Sequence, residues 1–148
     1  MKFGGGSKPA WVTLPKFSSL SEATEIELEF DACPYYEPSS TGDMMAPSNT
    51  DITEYFGVEV TGATIVGVTG ETSADAVISG DGATVTMRNV VVDKMMGEGL
   101  KDTYRYTTHK VKISGVTADT RIKIYSALEN DGKNHRMWLD NLKVKKAN

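Results

Sequence analysis

YRYTTHKVKISGVTADTRIKIYSA, residues 104–127, followed after a turn by HRMWLDNLKV, residues 135–144, decides the fold. Val111 and Ile113 alternate with Lys110, Lys112 and Ser114. Ile122 and Ile124 alternate with Arg121, Lys123 and Tyr125; Met137 and Leu139 alternate with Trp138 and Asp140. A period of two sends one set of side chains into a core and the other to the outside. Three such runs in succession predict neighbouring antiparallel strands at the end of a β-sandwich. If Leu139 is core, Trp138 faces outward.

The same rhythm extends towards the N-terminus. Strands are expected at Ala10 to Leu14, at Thr24 to Ala32, at Tyr55 to Val60 and, past Gly62, at Thr64 to Thr69. Ala76 to Ser79 and Ala83 to Arg88 flank Gly80-Asp81-Gly82, a strong hairpin signal. Asn89 to Asp93 continues as strand or edge, and Tyr104 to Ser114, Arg121 to Ala127 and Arg136 to Lys145 complete the set. No window carries a sustained helical spacing of apolar residues. The expectation is an all-β jelly-roll β-sandwich of two antiparallel sheets, with about eight or nine strands.

In the strand from Thr24, Ile26, Leu28, Phe30 and Ala32 point one way and Glu25, Glu27, Glu29 and Asp31 the other. Four carboxylates in a row need water or basic neighbours, for which Arg121 and Lys123 are candidates. Trp11, Phe30 and Phe56 read as core or edge packing. Lys143, Lys145 and Lys146 read as a solvated tail.

The 148 residues suit a single domain, 1–148. A formal net charge of −4 without a basic stripe argues against a nucleic-acid surface. No apolar run has spanning length, so membrane insertion is not expected. Residues 1–11 have no apolar signal region. The single cysteine, Cys33, reads as a buried small hydrophobe. His109 and His135 have no partner spacing for catalysis or zinc, and there is no nucleophile elbow. The chain is not expected to be an enzyme.

THKVKISGVTADTRIKIYSA (108–127) with RMWLDNLKV (136–144) resembles the closing half of a galactose-binding-like jelly roll, and WLDNLKV (138–144) is its local hallmark. GGGSKPAWVTLPKF (4–17) and TEIELEFDA (24–32) are similar to the early strands of that family. Many carbohydrate-binding modules and cleaved-adhesin domains of secreted bacterial proteins share this fold. The resemblance implies a non-catalytic module of an extracellular or cell-surface protein, and the abrupt opening on Lys2-Phe3-Gly4 fits a domain excised from a larger parent. Its partners would be a glycan or cell-surface polysaccharide and the other domains of that parent. A structural or adhesion domain that contacts protein without sugar is the alternative. The family also implies a structural calcium (Ca2+) near the chain ends with Asp140 as donor. The other reading of Asp140 is a carboxylate bonded to neighbouring amides.

Sugar binding needs an aromatic platform with polar partners. Tyr104 and Tyr106 share a strand face, and Tyr35 and Tyr36 lie on the long stretch from Pro34 to Thr53. These four tyrosines are the sequence's candidates for ligand contact. A long loop of this kind is often functional.

Overall fold

The computed structural model describes residues 1–3, 8–34, 55–88, 106–130, 132 and 135–147. Their strands are β1 (Lys2–Phe3), β2 (Trp11–Thr13), β3 (Thr24–Pro34), β4 (Tyr55–Thr61), β5 (Thr64–Gly70), β6 (Val77–Ile78), β7 (Thr84–Arg88), β8 (Thr107–Val116), β9 (Arg121–Tyr125) and β10 (Met137–Lys146). A single 3-10 turn, Ser73–Asp75, is the only helical element among the described residues. The strands form two antiparallel five-stranded sheets. The first has the order β1-β10-β3-β8-β5 and the second β2-β9-β4-β7-β6. The expected jelly-roll-like β-sandwich is what the chain forms.

Alternation builds the core. Ile26, Leu28, Phe30, Val111, Ile113 and Leu139 of the first sheet meet Val58, Val60, Val85, Met87, Ile122 and Ile124 of the second, and all are buried. Phe30 and Phe56 join the sheets edge to face, with ring centroids 5.9 Å apart. Each fully buried side chain of this size contributes about 1.5–3 kcal/mol relative to its exposed state. Cys33 is buried as expected.

Two local expectations are corrected. β8, β9 and β10 are not successive neighbours in one sheet: β8 and β10 flank β3, whereas β9 lies between β2 and β4. Periodicity marks which face of a strand is apolar but not which sheet the strand joins. β4 and β5, joined through the Gly62 turn, contribute one strand to each sheet. Finally, the strand expected from Tyr104 begins at Thr107, with Tyr106 just before it. The Asn89–Asp93 run lies outside the described residues.

The hairpin between β6 and β7 is built as its sequence suggests. Asp81 Oδ1 accepts from Ser79 Oγ at 2.6 Å and from the Ala83 amide at 3.0 Å. Gly82 has a φ of +68°, and a Cβ there would lie 2.4 Å from Thr64 Cγ2, so both backbone and space require glycine. In β10 the register against β3 shifts between Asp140 and Lys143, with Asn141 at φ 50°. This bulge resets the alternation, so Asp140, Lys143 and Lys145 all stand on the outer face.

Candidate functional site

The second sheet carries an aromatic surface on its outer side. Because Val12, Ile122, Ile124, Val58 and Val60 point inward, their neighbours Trp11, Thr13, Lys123, Tyr125, Gly57 and Glu59 point out. Register puts Trp11 beside Tyr125 and Tyr125 beside Gly57. The next row is Thr13, Lys123 and Glu59. Trp11 keeps 55% of its surface exposed. Its ring lies 5.7 Å from that of Tyr125, inclined at 41°. An indole left in water on a sheet face is informative because large aromatics normally gain stability by burial.

Charge is placed next to these rings. Lys123 Nζ stands 5.7 Å from the centroids of both Trp11 and Tyr125, within cation–π range. It donates to the Tyr125 hydroxyl at 3.3 Å and pairs with Glu59 Oε1 at 3.4 Å. The Tyr125 hydroxyl in turn donates to the Glu59 carboxylate at 3.4 Å. The Tyr125 hydroxyl first, and then Glu59, raise Lys123 above its ordinary pKa. The result is two adjoining rings bordered by a fixed donor and a fixed acceptor.

The surface continues past Tyr125. Gly57 has no side chain, and Leu128 from the turn after β9 fills that place; a Cβ on Gly57 would be 2.3 Å from Leu128 Cγ. Leu128 and Tyr55 both remain partly exposed. Chemically, flat rings accept the C–H face of a pyranose, while an ammonium and a carboxylate bond its hydroxyls.

Sequence reading missed this arrangement. Of the two roles expected for Trp11, core and edge packing, it takes the second: its parity opposes that of Val12 and buried Leu14, which sends it outward on the edge strand. That parity was the available signal. The approach of Glu59 to Lys123 depends on β4 pairing with β9, across more than sixty residues of chain.

Of the sequence's own candidates, Tyr35, Tyr36 and Tyr104 lie outside the described residues. Tyr106 is 37% exposed at the outer side of the first sheet. Burial first, and then the Cys33, Asp140 and Asp31 side chains, raise its pKa. Tyr106 and Asp140 therefore belong to one neighbourhood. Asp140 is opposite Asp31 in the ladder, and Asp31 is opposite Thr108. Asp31 accepts from Thr108 Oγ1 at 2.7 Å and from Asn141 Nδ2 at 2.6 Å. Asp140 Oδ1 accepts the Asn141 amide at 2.9 Å, the amide-bonded role considered for it above. Among the described residues no group of three His, Cys, Asp or Glu side chains converges as a metal set.

The acidic row on β3 meets partners other than those expected. Arg121 and Lys123 belong to the second sheet. Glu29 instead pairs with Lys145 at 2.6 Å, Lys143 at 3.3 Å and Lys110 at 3.5 Å. The hydrogen bond from Lys145 is the largest influence holding its pKa down at about 2. Lys143 and Lys145 are thus strand residues bonded to Glu29, not a solvated tail.

His109 is buried. Its Nε2 is 2.9 Å from Thr107 Oγ1 and its Nδ1 3.4 Å from Thr72 Oγ1, with Phe30 and Phe56 against the ring. Burial lowers its pKa to about 4. It is a satisfied core histidine.

No family model, curated protein or solved structure matches the chain.

Proposed function

We propose that this β-sandwich binds carbohydrate without transforming it, as a module of a secreted or cell-surface protein. The observation that carries the reading is the exposed Trp11–Tyr125 pair with Lys123 and Glu59 at its border. A pyranose laid on these rings buries its C–H face. Two neighbouring hydroxyls then bond Lys123 and Glu59, one accepting and one donating. The close pairing of those two charges favours a neutral sugar unit here. The site is open and contributes few rigid contacts, so a dissociation constant of about 10⁻³ to 10⁻⁵ M is expected. Tyr106 on the opposite sheet belongs to the proposal as a second contact, and Tyr35, Tyr36 and Tyr104, outside the described residues, remain candidates from the sequence.

A glycan array probed with the wild-type domain and with Trp11→Ala tests the reading. Retention of neutral glycans by the wild type and their loss from the variant are expected. Equal retention by both would remove the platform from the account. The calcium suggested by the resemblance is part of the same proposal, with Asp140 as donor and further oxygens drawn from backbone carbonyls. Chelation should then lower the melting temperature of the wild type and not that of Asp140→Ala.

A protein-contact role is the second reading. Val77, 67% exposed, and Tyr55 lie on the same outer side of the sheet as Trp11 and are apolar surface left uncovered there.

A further inference from the structure

The outer face of the first sheet holds a cleft of about 270 Å³ lined by Glu27, Lys112, Lys145, Lys146 and Ala147. Its construction follows from register. Lys112 of β8 and Lys145 of β10 stand on either side of Glu27 of β3, and Lys146 follows Lys145. With neighbouring strands about 4.8 Å apart, the two flanking lysines are roughly 10 Å apart at the backbone. Lys112 and Lys145 therefore stand beside Glu27 on the outer face, and Lys146, opposite inward-facing Ile26 in the ladder, lines the cleft at its end.

The charges in this region are not used equally. One row along, Glu29 takes Lys110, Lys143 and Lys145. Lys145 also reaches Glu27 Oε1 at 3.9 Å, and Lys110 reaches it at 4.0 Å. Lys112 and Lys146, by contrast, make no ion pair within 4.0 Å among the described residues. Glu25, exposed at the start of β3, is the other nearby acid, and its carbonyl accepts the Ala147 amide at 3.0 Å. The lining of the cleft itself is three lysines and one glutamate, on a chain whose formal net charge is −4. The positive excess is concentrated in the cleft.

We infer that the cleft receives the carboxylate or sulfate group of an acidic polysaccharide, with Lys112 as its direct partner, Lys145 held beside it by Glu29, and Lys146 at the end of the cleft. The volume accommodates one charged sugar unit rather than a small ion alone. Chemistry favours a sugar polymer over nucleic acid. No aromatic ring lines the cleft for a base to stack on, and the interleaved glutamates interrupt the continuous positive track that a phosphate backbone follows. Lysine suits this task as a mobile point charge that does not need bidentate geometry.

This inference concerns a different sheet from the Trp11 platform and stands or falls separately. The test is an amide-shift titration of isotope-labelled domain with a uronate oligosaccharide, a sulfated oligosaccharide, a neutral oligosaccharide and a single-stranded oligonucleotide. At least one acidic oligosaccharide should shift the amides of Lys112, Lys145, Lys146 and Ala147. That binding should weaken at least tenfold in a Lys112→Gln/Lys146→Gln variant, and also on raising salt from about 0.05 to 0.5 M as charges are screened. Trp11→Ala should leave it unchanged. The outcome would support the cleft even if no neutral sugar bound the platform. Three results would overturn it: no shift at these amides with either acidic oligosaccharide, equal binding by the double variant, or equal or tighter binding of the oligonucleotide at the same residues.

Discussion

Trp11 and Tyr125 stand ring beside ring, centroids 5.7 Å apart, on antiparallel neighbours at the edge of the second sheet. Neither residue is needed to fill the core, because Val12 and Ile124 fill it from the other side of the same two strands. The pair is therefore free to serve the surface, and the consequences of changing it separate from those of changing the fold.

Trp11→Ala should lower stability by no more than about 1 kcal/mol, as expected for a half-exposed side chain. Affinity for a neutral glycan should fall at least tenfold in the same variant. Urea unfolding together with titration calorimetry checks both. A large loss of stability would make Trp11 a structural residue instead.

Core positions should behave in the opposite way. Leu28→Ala or Ile124→Ala should cost about 2–5 kcal/mol, the sum of lost transfer energy and a residual cavity. Both side chains are completely buried. Val77→Ser, on the exposed rim, should stay within about 0.5 kcal/mol. Chemical denaturation of the three variants measures the contrast.

Gly57 offers a test of the surface's construction. Gly57→Ala places a methyl group where Leu128 lies, so Leu128 must move. The expected cost is about 1–3 kcal/mol, the usual range for overpacking. Adding Leu128→Ala should recover part of it, because the two residues contend for one space. Strict additivity in the double variant would show that they do not.

Acid should act in two windows. The unfolded chain protonates His109 near 6.5 and the folded one only near 4, because burial disfavours the charged ring while Asp31 and Glu71 partly oppose this. The unfolded state thus binds more protons across that window, and stability falls as pH drops from about 6.5 to 4. The whole window corresponds to ~3 kcal/mol. Glu29 acts lower. Its folded pKa is depressed from 4.5 to about 2 by its lysines, so the stability it contributes is complete above 4.5 and is lost as pH falls towards 2. Urea midpoints between pH 7 and pH 4.5 should decline less steeply in His109→Gln than in the wild type. Parallel declines would contradict the assignment.

Much of the fold is legible in the sequence because burial in a sandwich imposes a period of two. Ile26, Leu28, Val111, Ile113, Ile122 and Ile124 all take the predicted side. What the period does not carry is pairing. Nothing local to Arg121–Tyr125 says that this strand leaves the sheet of its neighbours, and so water or basic neighbours such as Arg121 and Lys123 are what the sequence offers the β3 carboxylates, where the fold supplies Lys110, Lys143 and Lys145 to Glu29. The same limit hid the aromatic site. Trp11, Glu59 and Lys123 come together only through the β2-β9-β4 order, and a tryptophan read on its own looks like core. Tyr106 and Asp140, far apart in sequence and candidates for different ligands, come into one neighbourhood through the ladder at Asp31.

Amide-shift titration of the domain with a neutral oligosaccharide selected on the array tests the central claim most directly. Perturbations should concentrate at Trp11, Thr13, Glu59, Lys123 and Tyr125, saturate with a dissociation constant of about 10⁻³ to 10⁻⁵ M, and vanish in Trp11→Ala. Saturating shifts that avoid these five residues, or the absence of binding by any neutral glycan, would contradict it.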